Sequence, residues 1–194
     1  MSKVKIQGNA SGTGVLTVEA PNTNTDRTIT LPDSTGTLLT TDGDGSSLTG
    51  LTSAQMPAGS VLQVVSATDG TNLSTNAGSP VVGHTVSITP IASTSKILVL
   101  ASLAAESMGS ASDRGIGLRL YRDETVLVNY VYNHYMSGDT TQRIGAVSFH
   151  VYDYPATAGT LSYSYKYVNT GGTSSTARMN YYGDSIITLM EIAQ

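Results

Sequence analysis

The part of the sequence that most constrains the fold begins at Val61. From there to Ile192, short runs rich in Val, Ile, Thr and Tyr alternate with turn-forming residues, and no window of a dozen residues has helical spacing of its apolar positions. Such runs at regular spacing predict an all-β antiparallel sandwich or barrel. The predicted strands are residues 61–67, 84–89, 95–104, 115–121, 125–132, 142–152, 159–168, 177–182 and 185–192.

Alternation along these strands assigns side chains to the core, because successive residues of a strand point to opposite faces. Leu161, Tyr163, Tyr165 and Tyr167 share one face of their strand, and Val147, Phe149 and Val151 are predicted to point into the core from another. Residues 97–104 and 186–192 are apolar on both faces, which predicts that a second sheet or a neighbouring subunit covers each strand on its second side. We favour the subunit, because a domain of this size has only one interior.

All eleven tyrosines lie between Tyr121 and Tyr182, alongside one Phe and no Trp in the whole chain. Tyrosine buries a large ring and keeps a hydroxyl for hydrogen bonding, so the cluster fits either core edges and subunit contacts or a face that binds sugar or protein. The binding face is best motivated where tyrosines run into the loop at 136–139. The candidate contact residues there are Tyr130, Tyr132, Asn133, His134, Tyr135 and Arg143.

Charge and composition narrow the function classes. Net charge is −4 and no basic run occurs, which argues against binding to a nucleic-acid backbone. There is no cysteine, and the longest apolar run, residues 97–101, is too short to cross a bilayer. The start lacks the apolar stretch of a signal peptide, so we expect a protein without membrane insertion that is made and kept soluble, or that leaves the cell by a route such as lysis.

Motifs for catalysis are weak. His84, His134 and His150 have no neighbour at metal-ligand spacing, and neither a phosphate-binding loop nor a nucleophile elbow occurs. A carboxylate pair for glycoside hydrolysis stays open. The acids that could form it are Asp113, Asp123, Glu124, Asp139, Asp153 and Asp184, all in or beside predicted turns. We expect no enzyme activity, no metal and no cofactor.

The first 60 residues differ from the rest. Residues 1–41 hold three strand-like runs of about four residues, too short to bury enough apolar surface alone to offset chain entropy. They should be ordered only against copies of themselves or a partner. Residues 42–60 predict a Gly/Ser linker that ends in a turn at 57–59. Within it, Leu48 and Leu51 are spaced for one helical turn or for a threefold-packed stalk.

Residues 8–41 also resemble an N-terminal module of bacteriophage tail fibres and related virion proteins, especially those of phages with marine and cyanobacterial hosts. The features that carry the resemblance are Ala20-Pro21, TITLP at 28–32 and GTLLT at 36–40. Residues 57–65 look like the beginning of the C-terminal domain of such fibres, and residues 186–192 look like its last strand. The resemblance covers both ends of the chain and the linker.

The resemblance implies a homotrimer. Residues 1–41 would anchor the fibre to other phage virion proteins of the tail, neck or baseplate. Residues 42–60 would form a stalk, and residues 61–194 a jelly-roll-like head that touches a host glycan or outer-membrane protein. The chain would be made in the host cytoplasm, reside in the virion and be released by lysis. The implied anchor residues are Val15, Val18, Pro21, Ile29, Leu31, Pro32, Leu38 and Leu39.

Two classes of function remain open at this point. The chain is either a receptor-binding tail fibre or a purely structural accessory or adaptor fibre of the head, neck or tail, with no receptor-binding role. The short length favours the accessory fibre slightly. A third interpretation, a secreted trimeric ligand-type domain of cellular origin, fits the predicted head but does not explain residues 1–41.

Overall fold

The structure, a computed structural model, describes part of the chain. The described residues are 10–15, 17, 22–26, 28, 55–109, 113–137, 142–172 and 174–194, with the backbone alone for 113, 114, 130–137 and 143. The chain divides into two units, Met1–Ser47 and Leu48–Gln194.

The first unit contains the implied anchor segment. Val15 is described there and is 90 % exposed. The other implied anchor residues, Val18, Pro21, Ile29, Leu31, Pro32, Leu38 and Leu39, lie outside the described residues. So does the first part of the predicted linker, including Leu48 and Leu51. The expectations for these residues stay predictions.

The second unit is built from β-strands, and its described part contains no α-helix. The strands are β1 (Val61–Asp69), β2 (Leu73–Thr75), β3 (Val81–Ile88), β4 (Lys96–Gly109), β5 (Asp113–Arg122), β6 (Thr125–Ser137), β7 (Arg143–Asp153), β8 (Leu161–Asn169), β9 (Ser175–Met179) and β10 (Ser185–Ile192). Among the residues that the structure describes, no helix is long and apolar enough to span a membrane.

The strands form two antiparallel sheets that pack as a sandwich. Sheet I has the order β1-β10-β4-β9-β2, with β7 on the other side of β4, and sheet II has the order β3-β8-β5-β6. With the short strands β2 and β9 set aside, the pairs are nested: β1 with β10, β3 with β8, β4 with β7 and β5 with β6. One long antiparallel ribbon is therefore rolled up on itself, which is the connectivity of a jelly roll. The predicted all-β sandwich is confirmed.

The core between the sheets is the one that alternation predicts. Tyr163, Tyr165 and Tyr167 of β8 are at most 1 % exposed, and Leu161 is 6 % exposed. From the opposite sheet, Val147 and Phe149 are buried and Val151 is partly buried against the same cluster. The tyrosines of β8 are therefore fully buried core residues and belong neither to the edge of the core nor to an exposed binding face.

Several strand bounds differ from the predicted ones. β2 was not predicted, β4 continues to Gly109 and β6 continues to Ser137. The strand predicted at 177–182 ends at Met179, because Asn180 adopts a left-handed backbone with φ of 66° and begins a turn. That turn is held by the amide of Asn180, which donates to the Ala104 carbonyl at 3.0 Å.

The head has two distinct ends. At the linker end, the predicted turn is present: the Ser60 amide donates to the Pro57 carbonyl at 3.1 Å, and Ser60 accepts from the Ala193 amide at 2.9 Å. β4 begins at this end and is 14 residues long, a span of about 43 Å for extended chain. At the opposite, distal end, β4, β6 and β8 end and β5, β7 and β9 begin.

Candidate functional site

A polar cluster lies at the distal end of sheet I. Glu106 of β4 is in register with Arg178 of β9 on one side and with Ile144 of β7 on the other. Gln142 directly precedes β7, and Tyr181-Tyr182 belongs to the turn that follows β9. We call Glu106, Gln142, Arg178, Tyr181 and Tyr182 the distal cluster.

The distal cluster is centred on a buried carboxylate. Glu106 is 2 % exposed, and its Oε1 accepts a hydrogen bond from Gln142 Nε2 and lies 3.7 Å from Arg178 Nη1. Its Oε2 is buried and has no hydrogen-bond partner among the described residues. Gln142 Nε2 also donates to the Tyr182 hydroxyl at 2.9 Å. The guanidinium of Arg178 lies 4.6 Å from the centroid of the Tyr181 ring, within the range of a cation–π contact.

A groove of about 350 Å³ adjoins the distal cluster on the outer face of sheet I. Small residues contribute to it, among them Ala104, Gly145 and Ala146. Larger side chains also line it: Tyr182, which is 62 % exposed, Ile144, which is 50 % exposed, and Asp184. The groove thus combines an accessible aromatic ring, an aliphatic side chain and a carboxylate.

The candidate contact residues predicted from sequence lie in β6 and at the start of β7. The backbone of Tyr132 pairs with Gly117, that of Asn133 pairs with Ile116, and β6 ends opposite Asp113 at the distal end. The positions of Tyr130, His134, Tyr135 and Arg143 are therefore on strands that lead into the same end as the distal cluster. Their side chains lie outside the described residues, so their role as contacts stays a prediction.

Sequence patterns did not point to the distal cluster. Its members are separated by up to 76 positions, so no local spacing in the sequence indicates that they lie together. Two signals were present. Glu106 is the first charged residue after an apolar run that begins at Ile97, and Tyr181-Tyr182 stands directly before a Gly-Asp turn. An acid within an otherwise apolar strand is rarely buried without a partner, so it marks a polar site.

The outer face of sheet I also carries an apolar surface toward the linker end. Cross-strand register places side chains of β1, β10, β4 and β7 in rows: Val64, Met190, Leu98 and Tyr152 in one, and Ser66, Thr188, Leu100 and His150 in the next. A third row consists of Thr68, Ile186, Ser102 and Ser148. We call these three rows the outer patch.

The outer patch is uncharged and accessible. Val64 is 54 % exposed, Tyr152 52 % and Ile186 40 %, while Leu98 and Leu100 are half-buried. None of its twelve side chains carries a fixed charge. With strands about 4.8 Å apart and rows about 6.7 Å apart, the patch covers about 400 Å², and six of its twelve side chains are apolar. The second faces of β4 and β10 are thus only partly covered within one chain.

Three of the acids considered for a carboxylate pair, Asp123, Glu124 and Asp153, make other polar contacts. Asp153 is buried and lies 2.7 Å from Arg122 Nη1. Glu124 lies 3.4 Å from Lys166 Nζ, and Asp123 accepts a hydrogen bond from the Ser162 amide at 3.0 Å. Among the side chains that the structure describes, no group of three or more His, Asp or Glu residues is arranged to hold a metal ion.

No protein-family model and no curated protein matches the sequence. Similar solved structures include a mutant VP2 protein of infectious bursal disease virus, at 16 % identity over 70 % of this chain and 37 % of that chain, with a TM-score of 0.38. A VP2 subviral particle of the same virus matches at 14 % identity, 70 % and 39 % coverage and a TM-score of 0.39. A structure described as CBM4 matches at 12 % identity over 59 % of this chain and 88 % of that chain, with a TM-score of 0.24.

This chain thus spans less than two fifths of the VP2 chains that it matches. At these identities and TM-scores the likeness carries no information on function.

Proposed function

We propose that this protein is a structural component of a virus particle, a short homotrimeric fibre of the bacteriophage type. Its N-terminal segment attaches the fibre to the particle, and its jelly-roll head contacts the host surface. The proposal assigns no catalytic activity, metal or cofactor to the chain. The observation that carries it is the outer patch, an uncharged and partly apolar sheet face at the linker end of the head.

The outer patch supports self-association. Leu98, Leu100 and Met190 are half-buried within one chain, and Ile186 is 40 % exposed, so a second copy would remove further apolar surface from water. The twelve side chains of the patch carry no fixed charge, and the ammonium of Lys96 lies 5.2 Å from the centroid of the Tyr152 ring. Two copies of a chain with net charge −4 therefore meet there without repulsion between carboxylates of the patch. The resemblance of residues 8–41 to trimeric fibres favours a threefold arrangement over a dimer.

The two ends of the head support the proposal that the fibre attaches through its N-terminal segment and contacts the host at the distal end. Residues 57–60 lead into the sandwich at the linker end, whereas the strands bearing the candidate contact residues Tyr130–Tyr135 and Arg143 lead to the distal end. In a fibre attached through its N-terminal segment, the distal end of the head is the part free to meet a cell surface. A trimer would present three such ends. Contacts that are weak one by one would then bind a repetitive surface with high avidity.

The proposal is tested by the mass of the full-length protein in solution. Light scattering on the eluting chromatographic peak should give three times the 20.2 kDa chain, about 61 kDa. A monomer at all concentrations tested contradicts the proposed assembly.

The host-contact part is tested by binding of the labelled full-length protein to a panel of marine and cyanobacterial strains. Saturable binding that is lost when Tyr132, His134 and Tyr135 are changed to Ala supports the receptor-binding fibre. A trimer that binds no strain contradicts the host-contact part and favours a purely structural accessory or adaptor fibre.

A further inference from the structure

The side chain of Glu106 poses a specific physical problem. It is 2 % exposed, and only one of its two oxygens is hydrogen-bonded by a described residue. A buried polar atom without a partner is destabilising, and in native proteins such atoms mark a functional role or a site filled by water or ligand. Arg178 is held in the same place with a buried Nε that also lacks a described hydrogen-bond partner. The distal cluster therefore holds one unpaired acceptor and one unpaired donor among the described residues.

The groove beside this cluster suits a flat ligand with apolar faces. The accessible ring of Tyr182 lies among its lining residues together with Ile144 and the small residues Ala104, Gly145 and Ala146. The hydroxyl of Tyr182 accepts from Gln142, and Gln142 in turn donates to Glu106, so the aromatic residue is fixed to the buried carboxylate. A tyrosine held in this way offers a pre-positioned surface, which lowers the entropy cost of binding.

The electrostatics of the groove disfavour an anionic ligand. Glu106 and Arg178 lie 3.7 Å apart and cancel each other, and Asp184 is the remaining charged residue among those that line the groove or form the distal cluster. An exposed carboxylate accepts hydrogen bonds from hydroxyl groups, whereas it repels phosphate and other anions. The volume of about 350 Å³ is at the lower end of ligand sites, which suits one or two sugar rings.

We propose that this groove is a saccharide-binding site, in which a pyranose ring stacks on Tyr182 and its hydroxyls donate to Asp184. The inference rests on the proposed function and deepens it, since it names a neutral cell-surface glycan as the chemical class that the distal end of the head contacts. It places the contact on β4, β7 and the β9–β10 turn, beside the strands that carry the residues predicted from sequence.

The test uses the full-length protein and saturation-transfer-difference NMR with D-glucose, D-galactose, D-mannose, L-rhamnose and N-acetyl-D-glucosamine. At least one of these sugars should receive saturation from the wild-type protein. Its Kd should rise about tenfold or more in Tyr182→Ala, as expected for the loss of an aromatic anchor. Tyr182→Phe keeps the ring and should keep most of the affinity. The control is Tyr154→Ala, which removes an equally exposed tyrosine, 64 % exposed, outside the distal cluster.

The same samples are examined by light scattering, so that the two proposals fail separately. A trimer that binds none of the sugars, or whose affinity is unchanged by Tyr182→Ala, overturns the saccharide site and leaves the assembly standing. A monomer that binds sugar through Tyr182 overturns the assembly alone. A Tyr182→Ala protein that also loses its trimeric mass overturns the saccharide site, because the groove is then part of a subunit interface.

Discussion

The phenol of Tyr163 donates a hydrogen bond of 2.7 Å to Oδ2 of Asp153 and so joins the two sheets of the head. Asp153 ends β7 in sheet I, and Tyr163 lies in β8 of sheet II. Both carboxylate oxygens of Asp153 also accept from Arg122 Nη1, at 2.7 and 2.8 Å. Burial, together with the hydrogen bond to Asp153, raises the pKa of Tyr163 far above its usual value, so the phenol remains a donor at physiological pH.

The cross-sheet bond should be measurable in stability. Tyr163→Phe removes one donor and should lower the free energy of unfolding by about 1–2 kcal/mol, whereas Asp153→Ala leaves Arg122 without its partner and should cost about 3–5 kcal/mol. Urea unfolding at fixed protein concentration measures both. Tyr154→Phe, at a tyrosine that is 64 % exposed, is the matched control and should change little. Equal losses for Tyr163→Phe and Tyr154→Phe would contradict the stabilising role of this bond.

Gly83 should tolerate no side chain while Tyr165 is present. It lies at a β-bulge between Val82 and His84, and a Cβ added there would lie 1.8 Å from Cε2 of Tyr165. Gly83→Ala should therefore lower the unfolding free energy by about 1–3 kcal/mol. Gly78→Ala, where a Cβ meets nothing within 4 Å, is the control and should be nearly neutral.

A double-mutant cycle checks that the ring is the cause. In a Tyr165→Ala background, the further loss on Gly83→Ala should be close to zero. A cost that stays the same in both backgrounds would show that the effect comes from the backbone rather than from the ring.

The ionised carboxylate of Glu191 should make the free energy of unfolding decrease at acid pH. It is fully buried, and although burial raises the pKa of its carboxyl, hydrogen bonds from Gln63 Nε2 at 2.6 Å and the Ile91 amide at 2.8 Å outweigh burial and lower the pKa below the usual 4.5. Because the folded-state pKa is the lower one, the stabilisation is complete above about pH 5 and is lost as pH falls through the folded-state value.

Glu191→Gln isolates this contribution. At pH 7 the variant should be about 1–3 kcal/mol less stable than the wild type, because an amide group replaces a carboxylate among N–H donors. The difference should shrink as the pH is lowered from 7 to 3. Glu124→Gln, at a side chain that is 93 % exposed, is the control and should show no such trend. If the difference in unfolding free energy between Glu191→Gln and the wild type is the same at every pH, Glu191 is not the source of the pH dependence.

The outer patch makes a prediction about assembly. Leu100→Glu places a charge at the centre of the patch on β4 and should convert the proposed trimer into monomers, since burying an unpaired carboxylate at an interface is costly. Val126→Glu, at a position on β6 that is 43 % exposed, is the matched control and should keep the trimeric mass. Light scattering reports both masses, and a folded Leu100→Glu protein that remains trimeric would place the interface elsewhere.

Sequence patterns predicted the β-sandwich because alternation along a strand depends only on residues that are close together in the chain. Alternation in β8 placed Tyr163, Tyr165 and Tyr167 on one face, since the pleat alone decides which side chains share a face, and the structure shows that this face is the buried one. β2 was missing from the predicted strands because three residues are too few to show an alternating pattern. The left-handed backbone of Asn180, which ends β9, depends on hydrogen bonds to distant parts of the chain.

The distal cluster is also the product of long-range register. Glu106, Gln142 and Arg178 meet because β4 pairs with β7 and β9, and neither pairing leaves a mark in the sequence around those residues. The tyrosine-rich run in β6 was visible for the opposite reason, since its members are neighbours in the chain. Sequence thus indicated strands that lead to the distal end of the sandwich but not the residues that line the groove there.

The nested pairing also determines when sheet I can form during translation. β10 lies between β1 and β4, so a ribosome must reach residue 192 before sheet I has its central strand. Until then β1, more than a hundred residues upstream, has no strand partner in sheet I, and its apolar side chains are exposed to water. Such distant closure makes folding slow and leaves the nascent chain prone to aggregate. Deletion of β10 should therefore yield insoluble chains rather than a smaller head, and folding should begin only after translation has passed this strand.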